Sequence, residues 1–482
     1  MWNSANMAFC LCPMLTSGVI EALKLRGSDA QKKQFMEKLV SGESSGTMNL
    51  TEPQAGSDLS AVRTQAVPEG DHYKIKGTKI FITWGEHDMS KNIVHLVLAR
   101  TPNAPEGVKG ISLFIVPKFL VNEDGTRGAR NDVKCVSIEH KMGIHGSPTC
   151  VLSYGETSGA IGYLVGEENR GLEYMFIMMN HARLGVGLEG VAIAERAYQH
   201  AREYARTRVQ GRLVGQKSGD RVTIVHHPDV RRMLMTMKAQ TEAMRALAYS
   251  ASAALDKAAH HPDAAVRKTN QALVDFLIPV VKGWCTEQGV EIASLGVQIH
   301  GGMGFIEETG AAQHYRDAKI LTIYEGTTAI QANDLIGRKT VRDGGRTAHA
   351  IASRIEVTEK ELNAIGDASC ARMAEQLSRA RQSYLEAVDY LVGQGKAQPN
   401  ALYAGSVNFL MLAGTLIAGW QMARAFVIIK GGAAQDETPA FLTAKAVTSQ
   451  FYADHILPRT RAYRDCIVEG AESVMALEME AF

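Results

Sequence analysis

Four glycine-bearing polar segments carry the side chains of this sequence that are best suited to chemistry. Residues 50–58, LTEPQAGSD, form a predicted turn whose backbone N–H groups and hydroxyls, those of Thr51 and Ser57, suit a polar ligand edge or a phosphate. Residues 298–305, QIHGGMGF, place three glycines among four residues, which lets the backbone approach a ligand closely. For both segments, a simple connector between two elements is an equally open interpretation.

The other two segments are charged. In residues 323–328, IYEGTT, Glu325 stands just before a predicted helix, where its carboxylate is a candidate general base or, alternatively, a cap near the positive helix end. Residues 204–212, YARTRVQGR, hold three guanidinium groups that can bind phosphates or simply favour the C-terminal end of a helix. They belong to Arg206, Arg208 and Arg212. The residues alone leave both choices open.

Helices must position most of these segments, because the start and the second half of the chain show helical spacing of apolar residues. Ser28 and Asp29 form a predicted N-cap between the first two helices. The predicted helices cover 16–25, 29–39, 174–206, 228–260, 264–295, 326–340, 346–394, 401–430 and 437–479.

The middle of the chain favours β-structure. Residues 73–83 alternate apolar and polar side chains, and 93–99 and 111–116 are short apolar runs rich in branched residues. The charged stretch 122–132 is predicted to be a surface loop. These changes of pattern predict four domains, at 1–47, 48–165, 166–340 and 341–482.

The order of helices, strands and helices predicts an α+β fold with segregated layers, not alternating βαβ units. No G-x-G-x-x-G motif follows a strand, which disfavours nicotinamide binding by a Rossmann sheet. The 482 residues hold 52 Lys and Arg against 51 Asp and Glu, so no charge excess indicates a nucleic-acid or membrane-surface role.

Seven scattered cysteines make a disulfide framework improbable and favour a reducing, cytoplasmic location. Cys10 and Cys12 are interpreted as small buried helix residues, and no metal site is predicted because no ligand set has metal-binding spacing. The apolar run 409–429 is interpreted as a buried helix, not a membrane span. Four histidines are interpreted as surface or structural residues, namely His87, His140, His226 and His227.

Taken together, TEPQAGSD, QIHGGMGF, RDAK and IYEGT resemble the acyl-CoA dehydrogenase family of flavoproteins in their order and separations. The helical tail and the stretch 122–149 further resemble the enlarged bacterial branch of that family. The resemblance implies an N-terminal helical segment, a barrel-like central β-domain, a four-helix bundle and an additional C-terminal helical domain. It also implies FAD as cofactor and an acyl-CoA as substrate.

The implied reaction is α,β-dehydrogenation of an acyl-CoA thioester to a trans-2-enoyl-CoA, with hydride transfer to flavin N5. Glu325 matches the family's base for the α-proton, and burial should raise the pKa of its carboxyl. Some relatives place this base immediately before an arginine on another helix. Here Ala182 precedes Arg183 and cannot act as a base, which strengthens the assignment to Glu325.

The remaining site residues follow from the resemblance, position by position. FAD contacts are expected at Met48, Leu50, Thr51, Ser57, Phe81, Thr83, Arg208, Gln210, Gln298, Gly301, Gly302 and Thr327. Substrate contacts are expected at Ser57, Asn180, Arg183, Tyr324 and Gly326. Asn180 stands where many relatives have Asp, and Phe81 stands where most have Trp. The stretch from Arg208 to Gly211 also lacks the aromatic residue of the family's R-x-Q-F-G pattern, in which it resembles the enlarged branch.

The family also implies partners. Electron-transferring flavoprotein is the expected electron acceptor, and FAD sites shared between subunits imply a homo-oligomer, a dimer or a dimer of dimers. The 50 residues before TEP are fewer than the family usually has, so weak FAD binding or low stability is expected. The alternatives are a truncated, non-catalytic remnant or binding protein of the same fold, and an acyl-CoA oxidase. The substrate is expected to be a sulfur-containing propionyl thioester or a medium-to-long straight-chain acyl-CoA.

Overall fold

The computed structural model describes residues 1–122, 124–394 and 399–482. The fold is α+β, as the sequence predicts, with a curled β-sheet and C-terminal helical domains. By their internal contacts the residues form two units, Met1–Gly185 and Val186–Phe482. One long helix begins in the first unit and ends in the second.

The first unit opens with three helices, α1 (Trp2–Ala5), α2 (Met7–Arg26) and α3 (Asp29–Val40). Ser28 begins α3 through a capping box, in which its hydroxyl accepts from the Gln31 N–H and the Gln31 side chain accepts from the Ser28 N–H. The predicted N-cap is therefore confirmed. Cys10 and Cys12 are buried in α2, where burial raises the pKa of the Cys12 thiol to about 11.

Strands follow these helices in the first unit. They are β1 (Ser44–Asn49), β2 (Gln65–Glu69), β3 (His72–Thr83), β4 (Asn92–Ala99), β5 (Ser112–Pro117), β6 (Phe119–Val121), β7 (Arg127–Arg130), β8 (Val133–Ile138), β9 (Thr149–Tyr154) and β10 (Ala160–Leu164). All of them except β6 and β7 form one mixed sheet, in the order β1–β4–β5–β10–β3–β9–β8 with β2 paired on β3. Among the described strand pairs of this sheet, only β1–β4 is parallel.

Strand β4 lies at the centre of two apolar cores. Val94, Leu96 and Leu98 pack into a core shared with α2 and α3, while Val97 and Ala99 pack into a second core on the opposite face. Alternate side chains of a strand point to opposite faces, so burial on both faces requires an apolar side chain at nearly every position. This explains the continuous apolar run in the sequence.

The stretch 122–132 is not simply a loop, and this part of the prediction is wrong. Strands β6 and β7 pair as an antiparallel hairpin around the turn. The ring of Phe119 holds the two strands together, because the guanidinium groups of Arg127 and Arg130 lie 4.7 and 5.2 Å from its centroid. Charged residues here cover an aromatic ring, a role that their charge alone does not reveal. Glu123 lies outside the described residues.

The second unit is helical. Its helices are α4 (Gly171–Thr207, which begins in the first unit), α5 (Pro228–His260), α6 (Ala264–His300), α7 (Ala311–Lys319), α8 (Thr328–Ile336), α9 (Arg346–Ile365), α10 (Ala368–Gln394), α11 (Pro399–Ala404), α12 (Ser406–Lys430), α13 (Pro439–His455), α14 (Arg459–Glu469) and α15 (Ala471–Met475). The predicted helix 346–394 is interrupted, because Gly366 takes a left-handed conformation with φ of 74°. The predicted helix 437–479 is likewise divided into α13, α14 and α15.

Helix α12 is buried within the second unit, as the sequence predicts. It contacts α5, α6, α8, α9, α10, α13 and α14. Gly414 faces the ring of Trp284 so closely that a Cβ there would lie 2.2 Å from a ring carbon. By length and composition alone, α12 and α2 are apolar enough to cross a membrane, as are many buried core helices of soluble proteins. In α12, 72% of the apolar 18-residue stretch is buried inside the protein.

Candidate active site

A tight turn at residues 323–327 presents Glu325 just ahead of α8. Glu325 has φ of 56°, in the left-handed region that is uncommon and costly for a residue with a Cβ. Thr327 caps α8, since its hydroxyl accepts from the Ile330 N–H at 3.4 Å. The capping role that the sequence left open for Glu325 therefore belongs to Thr327.

Two buried side chains fix the backbone on both sides of Glu325. The Lys282 ammonium on α6 is fully buried and donates to the carbonyl oxygens of Leu321 and Gly326, at 2.9 and 2.6 Å. The Gln331 amide on α8 donates to the carbonyls of Glu325 and Gly326, at 3.1 and 3.3 Å. A strained backbone conformation persists only where surrounding contacts stabilise it. The hydrogen bonds from Lys282 and Gln331 stabilise the left-handed conformation of Glu325.

A buried carboxyl group lies next to this turn. Glu189 on α4 is completely buried and accepts a hydrogen bond from the Tyr324 hydroxyl. Burial, and next the charge of Glu325, raise the pKa of Glu189 to about 8, although the Tyr324 hydrogen bond and Lys282 act in the opposite direction. Its Oε1 atom has no hydrogen-bond partner in the described part of the chain. At neutral pH, Glu189 is therefore a neutral acid.

Sequence reasoning missed Lys282, Gln331 and Glu189. A signal for two of them was present, because Lys282 and Glu189 are lone charges within apolar helical runs, VVKGWC and GVGLEGVAIA. A lone charge at such a position is almost never buried unless it is paired or has lost its charge.

In the first unit, the expected flavin-edge residues gather where β1 ends beside β3. The Thr51 carbonyl accepts from the Ile80 N–H at 2.9 Å. The β3–β9 register shifts between Lys79 and Ile82, and within this bulge Phe81 takes φ of 58° and leaves 59% of its surface exposed. Of the other predicted residues here, Met48, Leu50 and Thr83 are half-buried and Ser57 is exposed.

A buried ion pair stabilises the turn at residues 50–58. Glu52 and Lys79 are buried and lie 2.8 Å apart, and Lys79 also donates to the Leu50 carbonyl. Burial alone would raise the pKa of Glu52, but Lys79 and the hydrogen bonds from Arg63 and Thr64 lower it to about 2. Sequence reasoning missed this pair, because the two residues are distant in sequence.

In the second unit, five further predicted residues occupy two exposed segments. Arg208 and Gln210 expose their side chains, and the Gln210 N–H donates to the Val222 carbonyl. Helix α6 contains Gln298 and ends at the glycine pair, where Gly301 has φ of 59°. A Cβ on Gly301 or Gly302 would meet no atom within 4 Å, so their backbone is open to a ligand.

Asn180 and Arg183 lie on α4, within the first unit. Asn180 is exposed, whereas only 5% of Arg183 is exposed. The Arg183 guanidinium lies 5.9 Å from the centroid of the Phe176 ring.

Considered separately in each unit, these residues fit an aromatic cofactor that carries phosphates. The exposed Phe81 ring offers a stacking face, the glycine pair offers open backbone, and Arg208 offers an exposed guanidinium.

Three family models match the chain. They are the acyl-CoA dehydrogenase middle domain at 47–156, the acyl-CoA dehydrogenase C-terminal domain at 169–339, and an acetyl-CoA dehydrogenase C-terminal-like domain at 349–478. The chain is also 56% identical to 3-methylmercaptopropionyl-CoA dehydrogenase of Ruegeria pomeroyi, over 99% of this chain and 80% of that protein.

The chain belongs to the acyl-CoA dehydrogenase family. This confirms the resemblance seen in the sequence, including its extra C-terminal domain, and makes the chain an FAD-dependent oxidoreductase. A second relative, the broad-specificity linear acyl-CoA dehydrogenase FadE5 of Mycobacterium tuberculosis, is 40% identical over 97% of this chain and 79% of its own length.

Two solved structures share the fold. The Bacillus anthracis enzyme, solved with FAD, matches 94% of this chain and 73% of its own with a TM-score of 0.75 at 22% identity. ACDH-11 of Caenorhabditis elegans, solved with C11-CoA, matches 95% of this chain and 75% of its own with a TM-score of 0.74 at 22% identity.

Proposed function

We propose that this acyl-CoA dehydrogenase oxidises the α,β bond of an acyl-CoA thioester, with Glu325 as the base. The carboxylate of Glu325 takes the proton from Cα, and a double bond forms between Cα and Cβ as a hydride leaves Cβ. FAD, when bound, supplies the hydride acceptor at flavin N5. The product is a trans-2-enoyl-CoA.

This proposal rests on the turn around Glu325, whose backbone is fixed by hydrogen bonds from buried side chains. A general base must reach its proton in a fixed geometry, and misplacement costs much of the rate. Lys282 and Gln331 fix the main chain on both sides of Glu325, so the carboxylate needs to order only its own side-chain torsions. Tyr324 and Gly326 are the proposed substrate neighbours within the same turn.

Cofactor and substrate contacts are proposed as the family pattern assigns them. FAD would contact Met48, Leu50, Thr51, Ser57, Phe81 and Thr83 of the first unit, and Arg208, Gln210, Gln298, Gly301, Gly302 and Thr327 of the second. The CoA part would contact Ser57, Asn180 and Arg183. The proposed domains keep the limits 1–47, 48–165, 166–340 and 341–482.

The proposed substrate is 3-methylmercaptopropionyl-CoA. The 56% identity to an enzyme named for it supports this choice. A straight-chain acyl-CoA is the second candidate, supported by the 40% identity to a broad-specificity linear acyl-CoA dehydrogenase.

We propose electron-transferring flavoprotein as the electron acceptor, a homo-oligomeric assembly and a cytoplasmic location. The CarC subunit of the caffeyl-CoA reductase–Etf complex of Acetobacterium woodii, 30% identical over 64% of this chain, supports the acceptor. The seven free cysteines, all within the described residues, support a reducing compartment.

Anaerobic titration of the holoenzyme with 3-methylmercaptopropionyl-CoA and with straight-chain acyl-CoA thioesters tests the reaction. Bleaching of the flavin band is expected for the true substrate. Glu325→Gln should abolish bleaching while retaining FAD, whereas Glu308→Gln, a matched change at an exposed glutamate, should leave it intact. Full bleaching by the Glu325→Gln variant would contradict the assigned base.

A further inference from the structure

A cavity of about 210 Å³ lies within the second unit, where α5, α6, α9 and α12 meet. Its apolar wall includes Leu277, Ile417 and the ring of Trp420, all at least nine-tenths buried. An engineered apolar cavity of about 150 Å³ holds a benzene molecule, so this volume suits a ligand with a short carbon chain.

Three cations line the same cavity. The guanidinium groups of Arg354 and Arg424 lie 5.2 and 5.7 Å from the centroid of the Trp420 ring, and Lys257 belongs to the rim. None of the three pairs with a carboxylate in the described part of the chain. Burial, and next the charge of Arg424, lower the pKa of Arg354. The wall therefore carries three positive charges that reach solvent and have no carboxylate partner among the described residues.

The polar side chains of the cavity add donors. The amide oxygen of Gln421 already accepts from Ser250 at 3.2 Å and from Arg424 at 2.8 Å. Its NH₂ group is the part left for a ligand. Donors and cations beside an apolar wall favour an anion that has an apolar tail.

We propose that this cavity binds a small aliphatic carboxylate. The carboxylate lies between Arg354 and Arg424, because planar guanidinium groups match carboxylate oxygens in pairs. The carbon chain lies against Leu277, Ile417 and the Trp420 ring. The lining comes from α5, α6, α9 and α12, and it includes neither Glu325 nor its supporting residues.

Isothermal titration of the holoenzyme with hexanoate tests the site. One hexanoate per chain is expected to bind, while hexan-1-ol, which lacks the charge, and inorganic phosphate, which lacks the tail, should not. The double variant Arg354→Gln/Arg424→Gln should bind hexanoate at least tenfold more weakly, with kcat/KM for acyl-CoA unchanged. Arg461→Gln, a matched change at an exposed arginine, should bind normally.

Two measurements locate the ligand. Hexanoate should change the tryptophan fluorescence of the parent protein but not that of Trp420→Phe. Lys257→Gln should weaken hexanoate binding as well, and this single variant tests the site if the double arginine variant fails to fold. Hexanoate binding of equal strength in the arginine variants would place the ligand elsewhere, for example in the acyl pocket, and overturn the proposal. Phosphate binding without hexanoate binding, or no binding at millimolar hexanoate, would overturn it as well.

Discussion

Replacing Glu189 with Gln should stabilise the protein, and the gain should grow as the pH rises. In the folded chain, burial and then the charge of Glu325 raise the pKa of Glu189 from 4.5 to about 8. The folded state therefore holds the Glu189 proton more tightly than the unfolded state. The contribution of this proton to stability is fully present below pH 4.5 and is lost as the pH rises towards 8.

The size of the effect follows from the two pKa values. Each pH unit between them is worth about 1.4 kcal/mol. The loss for Glu189 therefore reaches about 3 kcal/mol at pH 7 and about 5 kcal/mol above pH 8. A Gln side chain has the same shape and still accepts from the Tyr324 hydroxyl, but it cannot ionise. Glu189→Gln should differ from the parent by less than about 1 kcal/mol at pH 5 and be more stable by up to about 3 kcal/mol at pH 7.

Urea unfolding at pH 5, 6, 7 and 8, at one fixed FAD concentration, measures this difference. Glu203→Gln, at an exposed glutamate of the same helix, provides the matched control and should show no trend with pH. Glu189→Leu removes the hydrogen bond to Tyr324 as well, so it should lower kcat more than Glu189→Gln does. Parallel stability profiles for Glu189→Gln and the parent would refute the view that Glu189 is buried as a neutral acid.

Three further outcomes are expected. Lys282→Met should lower kcat at least tenfold in steady-state assays and cost about 2 kcal/mol in urea unfolding, because the carbonyls on both sides of Glu325 lose their charged donor; an unchanged kcat would contradict this role. The low pKa of Glu52 means that its contribution, about 3 kcal/mol, is present above pH 4.5 and lost as the pH falls towards 2. In urea unfolding, Glu52→Gln should therefore make the difference in unfolding free energy between pH 5 and pH 3 smaller by about 2 kcal/mol, and an unchanged difference would contradict the low pKa. Phe81→Gly should relieve about 1 kcal/mol of backbone strain yet weaken FAD binding about tenfold in a flavin fluorescence titration, whereas Phe81→Tyr should bind FAD normally; equal affinities would argue against stacking.

Local patterns predicted the elements well. The predicted helix 228–260 matches α5, and the Ser28 cap was found, because helical spacing and N-caps depend on residues close in sequence. The hairpin of β6 and β7 was missed, because charged residues that pack on an aromatic ring look the same in sequence as charged residues in a solvated loop.

The site was predicted only in part for a similar reason. Glu325 stood out because it lies in a recognisable polar segment. Lys282 and Glu189 act on the Glu325 turn from helices far away in sequence, and no local pattern specifies which turn a buried charge will meet. The left-handed backbone of Glu325 also depends on these distant contacts, since its local sequence does not require it.

The close approach of Gly414 to Trp284 has a consequence for how this molecule can vary over evolution. The glycine lies on α12, in the part that matches the C-terminal-like family model, and the tryptophan lies on α6, in the part that matches the C-terminal domain model; no side chain fits between them. The two parts therefore share one core and should melt in a single calorimetric transition. The C-terminal helices cannot be exchanged between homologous proteins as an independent module, because a transplanted α12 would need to bring a matching surface of α6 with it.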